Sequence, residues 1–275
     1  MFVLAKRKNQ NRTKVRSSRM TSSLQHDPTQ ALILRTYTTL YQLRQDWGGS
    51  FILSLGLDLG GVALSMAATI AGAVSLAIDN EPAHLREVAR TGAVDFTVTT
   101  LDEAIRAMKN EVRKHTPLSV ALNADPIAAM AEVVERGLAP QLFAIFLPPH
   151  PSIVEAATAF YSLGATLMDF TAAPHALAGF QSSQSILRSL REDNDWILQT
   201  FTCDTPAALR AFDAKALDFL PPEDTIRRRW LQSAPRILHR QRPPHRTLWL
   251  TEAEKRALDQ SSTLECSGNN WDVSS

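Results

Sequence analysis

Ser50-Phe51-Ile52-Leu53-Ser54-Leu55-Gly56-Leu57-Asp58-Leu59-Gly60-Gly61-Val62-Ala63-Leu64-Ser65-Met66-Ala67-Ala68-Thr69-Ile70-Ala71-Gly72-Ala73-Val74-Ser75-Leu76-Ala77-Ile78-Asp79 is the stretch that decides the fold. A short apolar run is followed by a glycine-bearing turn, a helix of small residues, and a second apolar run that ends in an acid. This order predicts a βαβ unit of the nucleotide-binding type. Glycines let the backbone approach a pyrophosphate, and the helix N-terminus offers N–H groups and a positive dipole end. Asp79 follows Gly61 by 18 residues, near the spacing of about 20 at which an acid meets the ribose. The turn departs from Gly-x-Gly-x-x-Gly, and Asp58 would bring a negative charge towards the phosphates. From the residues alone, a nucleotide site and a plain tight turn in an α/β sheet are both open.

The pattern continues on either side. Asp27-Pro28 reads as a helix entry, with the helical period running from Ala31 to Asp46 and ending at Trp47-Gly48-Gly49. Glu81-Pro82 opens a helix that Gly92 closes, and Val94 to Val98 reads as a strand. Thr99 or Thr100 caps a helix from Leu101 to Arg113, Leu118 to Leu122 is a strand, and Asp125-Pro126 opens the next helix. Gln141 to Leu147 is a buried-type strand stopped by Pro148-Pro149. At least five strands alternate with helices, which predicts a doubly wound parallel sheet, an α/β Rossmann-like fold. Beyond His150 the pattern loosens into a small, partly helical C-terminal appendage. Residues 259–275, rich in Ser, Asn, Asp and Gln, read as a disordered tail.

Composition limits the class. The chain has 275 residues, 44% hydrophobic and 21% charged, enough to bury a sizeable core. No apolar run approaches the roughly 20 residues needed to span a bilayer, so no membrane partner is expected. Cys203 and Cys266 are far apart and lack metal-ligand spacing, so no metal site is predicted. A reducing, cytoplasmic setting is the default reading. The net charge of +1 hides an asymmetry: Lys6, Arg7, Lys8, Arg12, Lys14, Arg16 and Arg19 are basic, and no acid precedes Asp27. With no aromatic residue beyond Phe2 and no amphipathic period, residues 1–27 read as a disordered leader rather than a nucleic-acid contact, or as an over-long start before Met20. A second basic cluster comprises Arg227, Arg228, Arg229, Arg236, His239, Arg240, Arg242 and Arg246. It reads as a solvated helix face, with an anion contact as the alternative.

Several of these segments together resemble urocanase (urocanate hydratase). They are Met66-Ala67-Ala68-Thr69-Ile70-Ala71-Gly72-Ala73 with Ser75-Leu76 and Asp79, Leu101-Asp102-Glu103-Ala104, Leu118-Ser119-Val120-Ala121-Leu122, and Glu132 with Arg136-Gly137 and Pro140. The match runs from Phe51 to about His150. It continues more faintly from about 30 to 258, through Thr36-Tyr37, Trp47-Gly48-Gly49, Arg229-Trp230-Leu231, Pro244, Arg246 and Trp249. The resemblance implies a Rossmann-like NAD domain over 28–150 and a remnant of the family's core, rich in helix, over 151–258. It also implies the family's chemistry: oxidised NAD acts as an electrophile towards urocanate, water is added, and a homodimer carries the site.

Carried over by position, the resemblance puts Gly60 and Gly61 at the pyrophosphate turn and Asp79 at the ribose, where the family has Glu. His84 stands for an arginine, and Asp125 for a cofactor-contacting asparagine. Phe146 replaces a glutamine in a segment of which His150 alone remains. Cys203 lies near the family's active-site cysteine, and His150 and Arg246 would lie near substrate. The Gly-rich turn has Asp58, Leu59 and Val62 where the family has glycine, and the asparagine-rich segment is replaced by Thr171-Ala172-Ala173-Pro174-His175. Losing an asparagine and a glutamine removes hydrogen bonds worth about 0.5–1.5 kcal/mol each, and Asp58 and Asp125 add carboxylates near a dianionic cofactor. The expectation is a degenerate urocanase-like lyase with weakened NAD binding and reduced or lost activity. The alternative is a non-catalytic NAD or nucleotide-binding module. The ligand would be a small-molecule substrate or nucleotide.

Overall fold

The computed structural model of the chain describes residues 29–171, 177–260 and 266–269; the basic leader lies outside them. The first described helix, α1 (Gln30–Leu43), begins at a Thr29 cap, whose hydroxyl accepts from Leu32 N–H at 3.3 Å. Strand β1 (Phe51–Leu55), helix α2 (Leu59–Ala71) and strand β2 (Val74–Asp79) then form the βαβ unit where the sequence places it. Gly72 ends α2 at φ 94°, a conformation that favours a residue without Cβ. The chain continues through α3 (Pro82–Thr91), β3 (Phe96–Val98), α4 (Leu101–Lys114), β4 (Leu118–Asn123), α5 (Pro126–Glu135) and β5 (Leu142–Ile145). Thr100 and Glu103 form a reciprocal capping box at the start of α4.

The parallel sheet does not stop at His150. Helix α6 (Pro151–Ser162) returns the chain to β6 (Thr166–Asp169), and a two-residue β7 (Gln181–Ser182) adds a seventh strand. The order is β3-β4-β2-β1-β5-β6-β7, all parallel. From β1 the chain winds outward through β2 to β3 and β4, then crosses back to β5 on the other side of β1. The switch point therefore lies between β1 and β5, and the crevice beyond their carboxyl ends is where an open α/β sheet binds ligands.

Residue size explains how the two faces are covered. Strand residues alternate between them. Ala77, Ala121 and Ala144 point to the face covered by α1, α2 and α3, and small residues such as Ala63, Ala67 and Ala71 let α2 lie close. Leu53, Leu76, Ile78, Val120, Leu122, Phe143 and Ile145 point to the other face, where α4, α5 and α6 supply Met108, Met130, Val133 and Phe160.

The C-terminal part consists of α7 (Ser183–Asn194), β8 (Ile197–Cys203), α8 (Pro206–Phe219), α9 (Thr225–Ile237), β9 (His245–Leu250), α10 (Glu252–Gln260) and β10 (Cys266–Asn269). Alongside its helices, β10, β8 and β9 make an antiparallel sheet, in which β10 is the strand that the sequence does not announce. The expectation of a disordered tail over 259–275 fails where the chain is described. Residues 259–260 end α10, and 266–269 pair with β8, where a disulfide between Cys203 and Cys266 ties them. This part shares a core with the parallel sheet: Trp230, Leu231 and Trp249 lie in the cluster that holds Ile33, Ala67 and Ile70. Polar bonds from α1 reinforce the junction. Gln30 Nε2 donates to His245 O at 2.8 Å, Thr247 N–H donates to Gln30 Oε1 at 3.1 Å, and Trp249 Nε1 donates to Thr38 Oγ1 at 2.9 Å.

Candidate functional site

The glycine turn closes directly on the protein itself. A Cβ on Gly61 would sit 2.3 Å from Gly56 O, so only glycine permits this approach of strand and helix. A Cβ on Gly60 would sit 2.6 Å from Cε1 of Phe146, whose ring therefore lies on the turn. Phe146 follows β5, is buried, and stacks on Phe170 at 6.4 Å between centroids. The switch-point crevice thus has an aromatic ring against the glycines that would cradle a pyrophosphate.

The helix N-terminus is also taken. Asp58 is the N-cap of α2, and its Oδ1 accepts from Gly61 N–H at 2.9 Å. Although the residue is exposed, crowding desolvates its carboxyl and raises its pKa. The N–H groups of Gly61 and Gly60 work against that rise, and the charge of Asp79 adds to it.

The other residues expected at the site follow strands at the carboxyl end of the sheet, His84 in the first turn of α3, and each has an internal task. Asp79 ends β2; its Oδ2 accepts from Leu57 N–H at 2.9 Å and its Oδ1 from Glu81 N–H at 2.9 Å. A ring nitrogen of His84 meets Leu57 O. Gly60, Gly61, Asp79 and His84 are therefore brought together around one turn, with Asp79 and His84 holding its backbone. Asp125 follows β4 and caps α5, accepting from Ala128 N–H at 2.8 Å. His150 follows β5 and caps α6, its Nδ1 accepting from Ser152 N–H at 3.2 Å. Sequence reasoning missed Asp169, a buried acid at the end of β6 that accepts from Thr171 N–H at 2.8 Å and Thr171 Oγ1 at 2.6 Å. The signal that could have found it is the same one that marked Asp79, an acid closing a strand.

Cys203 does not join this group. It lies on β8 in the antiparallel sheet, 2% exposed, with its sulfur bonded to Cys266. A cysteine in a disulfide has no thiolate to offer as nucleophile, so the catalytic role expected of it is corrected. Arg246 is likewise engaged: its guanidinium forks onto Asp213 at 2.7 and 2.8 Å, with both side chains buried.

A dinucleotide therefore meets two obstacles. The fold is a nucleotide-binding architecture, but its first phosphate donor holds Asp58 and its cradle faces Phe146. As they stand, the residues do not fit a pyrophosphate at the turn.

Comparison with known proteins places this arrangement. Among solved structures, a short chain alcohol dehydrogenase (rspB) from E. coli CFT073, complexed with the cofactor NADH, aligns over 59% of this chain and 47% of its own. The identity is 12% and the TM-score 0.32, and this chain spans less than half of that relative's length. Residues 28–153 match the family model described as the urocanase Rossmann-like domain. Over these residues the chain carries a Rossmann-like domain of the urocanase type.

Proposed function

We propose that this protein is a urocanase-derived Rossmann module that lacks hydratase chemistry and binds NAD only weakly. The observation that carries the reading is the self-occupied turn, with Asp58 on Gly61 N–H and Phe146 against Gly60. The disulfide at Cys203 supports it, because the position that resembles the family's cysteine has no free thiol. Asp79 and His84 support a structural use of the ribose end of the site, since both grip Leu57.

The test uses the full chain. It is purified, denatured and assayed for released NAD, then followed for urocanate loss with and without added NAD. The expected result is no stoichiometric NAD and no urocanate consumption. Asp58→Gly restores the glycine of the family's turn and frees Gly61 N–H at a stability cost of only a few tenths of a kcal/mol. It should tighten NAD binding by about tenfold, the equivalent of roughly 1.4 kcal/mol. Urocanate turnover by the unaltered protein, or NAD retained through purification, overturns the proposal.

A further inference from the structure

The second basic cluster resolves into two groups. Most of its arginines have partners. Arg227 pairs with Glu254 and Asp224, Arg228 donates to Leu217 O and Leu220 O, and Arg246 pairs with Asp213. Arg240 donates to Arg90 O, and Arg242 to His239 O and Gln241 O. Arg229 and Arg236 are different. Among the described residues neither makes a side-chain hydrogen bond or ion pair, and both line one cavity of about 370 Å³.

That cavity lies at the amino end of the parallel sheet, opposite the glycine turn. One wall is α9, where Arg229, Gln232, Ser233 and Arg236 recur at helical spacing while Trp230, Leu231 and Ala234 are buried. The facing wall is the last turn of α2 at Thr69 to Gly72 and the His115 that ends α4. Asp46 is the one carboxylate among its lining residues, and it accepts from Gly48 N–H at 2.9 Å. The ring of His115 likewise makes no hydrogen bond among the described residues. Arg229 is partly accounted for by the carbonyl end of α2, since a Cβ on Gly72 would fall 2.7 Å from its Nη2. Arg236 is exposed in the last turn of α9, where the dipole likewise favours a cation, and it too makes no side-chain hydrogen bond or ion pair among the described residues. It also lines a second cavity, of about 280 Å³, with His239 and Arg240.

We propose that this groove binds a small phosphorylated compound, with Arg229 and Arg236 as its guanidinium ligands and Gln232, Ser233 and His115 as further donors. Two forked guanidiniums suit the tetrahedral oxygens of a phosphate. The volume is at the lower end of the range for small-molecule sites. The site does not depend on the proposed function, which concerns the opposite end of the sheet.

The test titrates the full chain with inorganic phosphate, glycerol 3-phosphate and glycerol at constant ionic strength, following Tm and the ring resonances of His115. Phosphate or the monoester should raise Tm where matched sodium chloride and glycerol do not. The His115 resonances should move on the same curve. Arg229→Gln with Arg236→Gln should weaken Kd by about tenfold or more. Ser233→Asp should do the same through charge, whereas Arg242→Gln should leave Kd unchanged. Tighter binding of the monoester identifies a small organic phosphate as the ligand, and equal binding identifies the free ion; both support the site. If the double arginine variant fails to fold, the His115 shifts of the unaltered protein and the Ser233→Asp titration decide. No stabilisation beyond the chloride control, or equal stabilisation in the variants, overturns the proposal.

Discussion

The two ends of the parallel sheet are furnished in a way that their helix dipoles alone do not suggest. At the carboxyl end the helix N-termini point outward, where a Rossmann fold receives phosphate. In this chain four of those N-termini are closed from within: Asp58 caps α2, Asp125 caps α5, His150 caps α6, and Thr100 with Glu103 caps α4. At the amino end the helix C-termini repel anions. Yet arginines from the C-terminal part converge there, and Arg229 and Arg236 remain without an ion-pair partner among the described residues. The comparison teaches that a fold fixes where the helix ends lie, whereas the residues placed on those ends decide which of them can still take a ligand. In this chain residues at the carboxyl end hold their own turn and helix starts, whereas the cavity at the amino end is lined by Arg229 and Arg236, which have no ion-pair partner among the described residues.

This contrast depends on the C-terminal part holding its place, which gives the largest expected effect. Arg246 and Asp213 form a buried, forked ion pair beside Gln30 of α1. Arg246→Ala leaves Asp213 as an unpaired buried charge and should cost about 3–5 kcal/mol, read as a lower urea midpoint. An unchanged midpoint would mean that the C-terminal part does not brace the sheet. Breaking the Cys203–Cys266 bond comes next. The bridge closes a loop with a sequence separation of 63, so Cys266→Ser should cost about 2–4 kcal/mol. Dithiothreitol should lower the Tm of the unaltered protein and leave that of the variant alone. A reductant-insensitive Tm would show that the bridge adds nothing to the stability of the fold.

The carboxyl end was more legible in the sequence than the amino end, for a physical reason. The βαβ unit, the caps and the strand ends are local: Glu81-Pro82, Thr100 with Glu103, and Asp125-Pro126 each announce a helix within four residues. What the sequence left open there was decided by a tertiary contact, since Phe146 meets Gly60 only when β5 packs beside β1. The basic cluster read as a solvated face because most partners of its arginines lie on another element or are carbonyls. Arg227 reaches Glu254 across α10, and Arg228 reaches the end of α8. The polar composition of 259–275 gave no hint of β10, which exists through pairing with β8 and a bond to a cysteine far away in sequence.

The contrast can also be probed at Asp58 itself, where the effects are smaller. Asp58→Ala removes the N-cap and should cost about 1 kcal/mol, showing that the turn's acid serves α2. Asp58→Asn separates cap from charge, because the amide oxygen can still accept from Gly61 N–H and Asn caps as well as Asp. The raised pKa sets the sign. A carboxyl whose folded pKa lies above its unfolded value holds its proton more tightly in the folded state. Ionised Asp58 therefore lowers stability at neutral pH, and the loss is relieved as pH falls through the raised folded pKa towards the ordinary value of 3.8. Asp58→Asn should be the more stable protein at pH 7, by ~0.3 kcal/mol after allowing for the solvent screening of an exposed residue. The difference should shrink to nothing below the ordinary carboxylate range. The helix dipole argues the other way, favouring a negative cap. Unfolding free energies of both proteins from pH 3 to 7 decide between them. A variant less stable than the parent at pH 7 would mean that the dipole outweighs desolvation, and that the N-terminus of α2 still favours an anion.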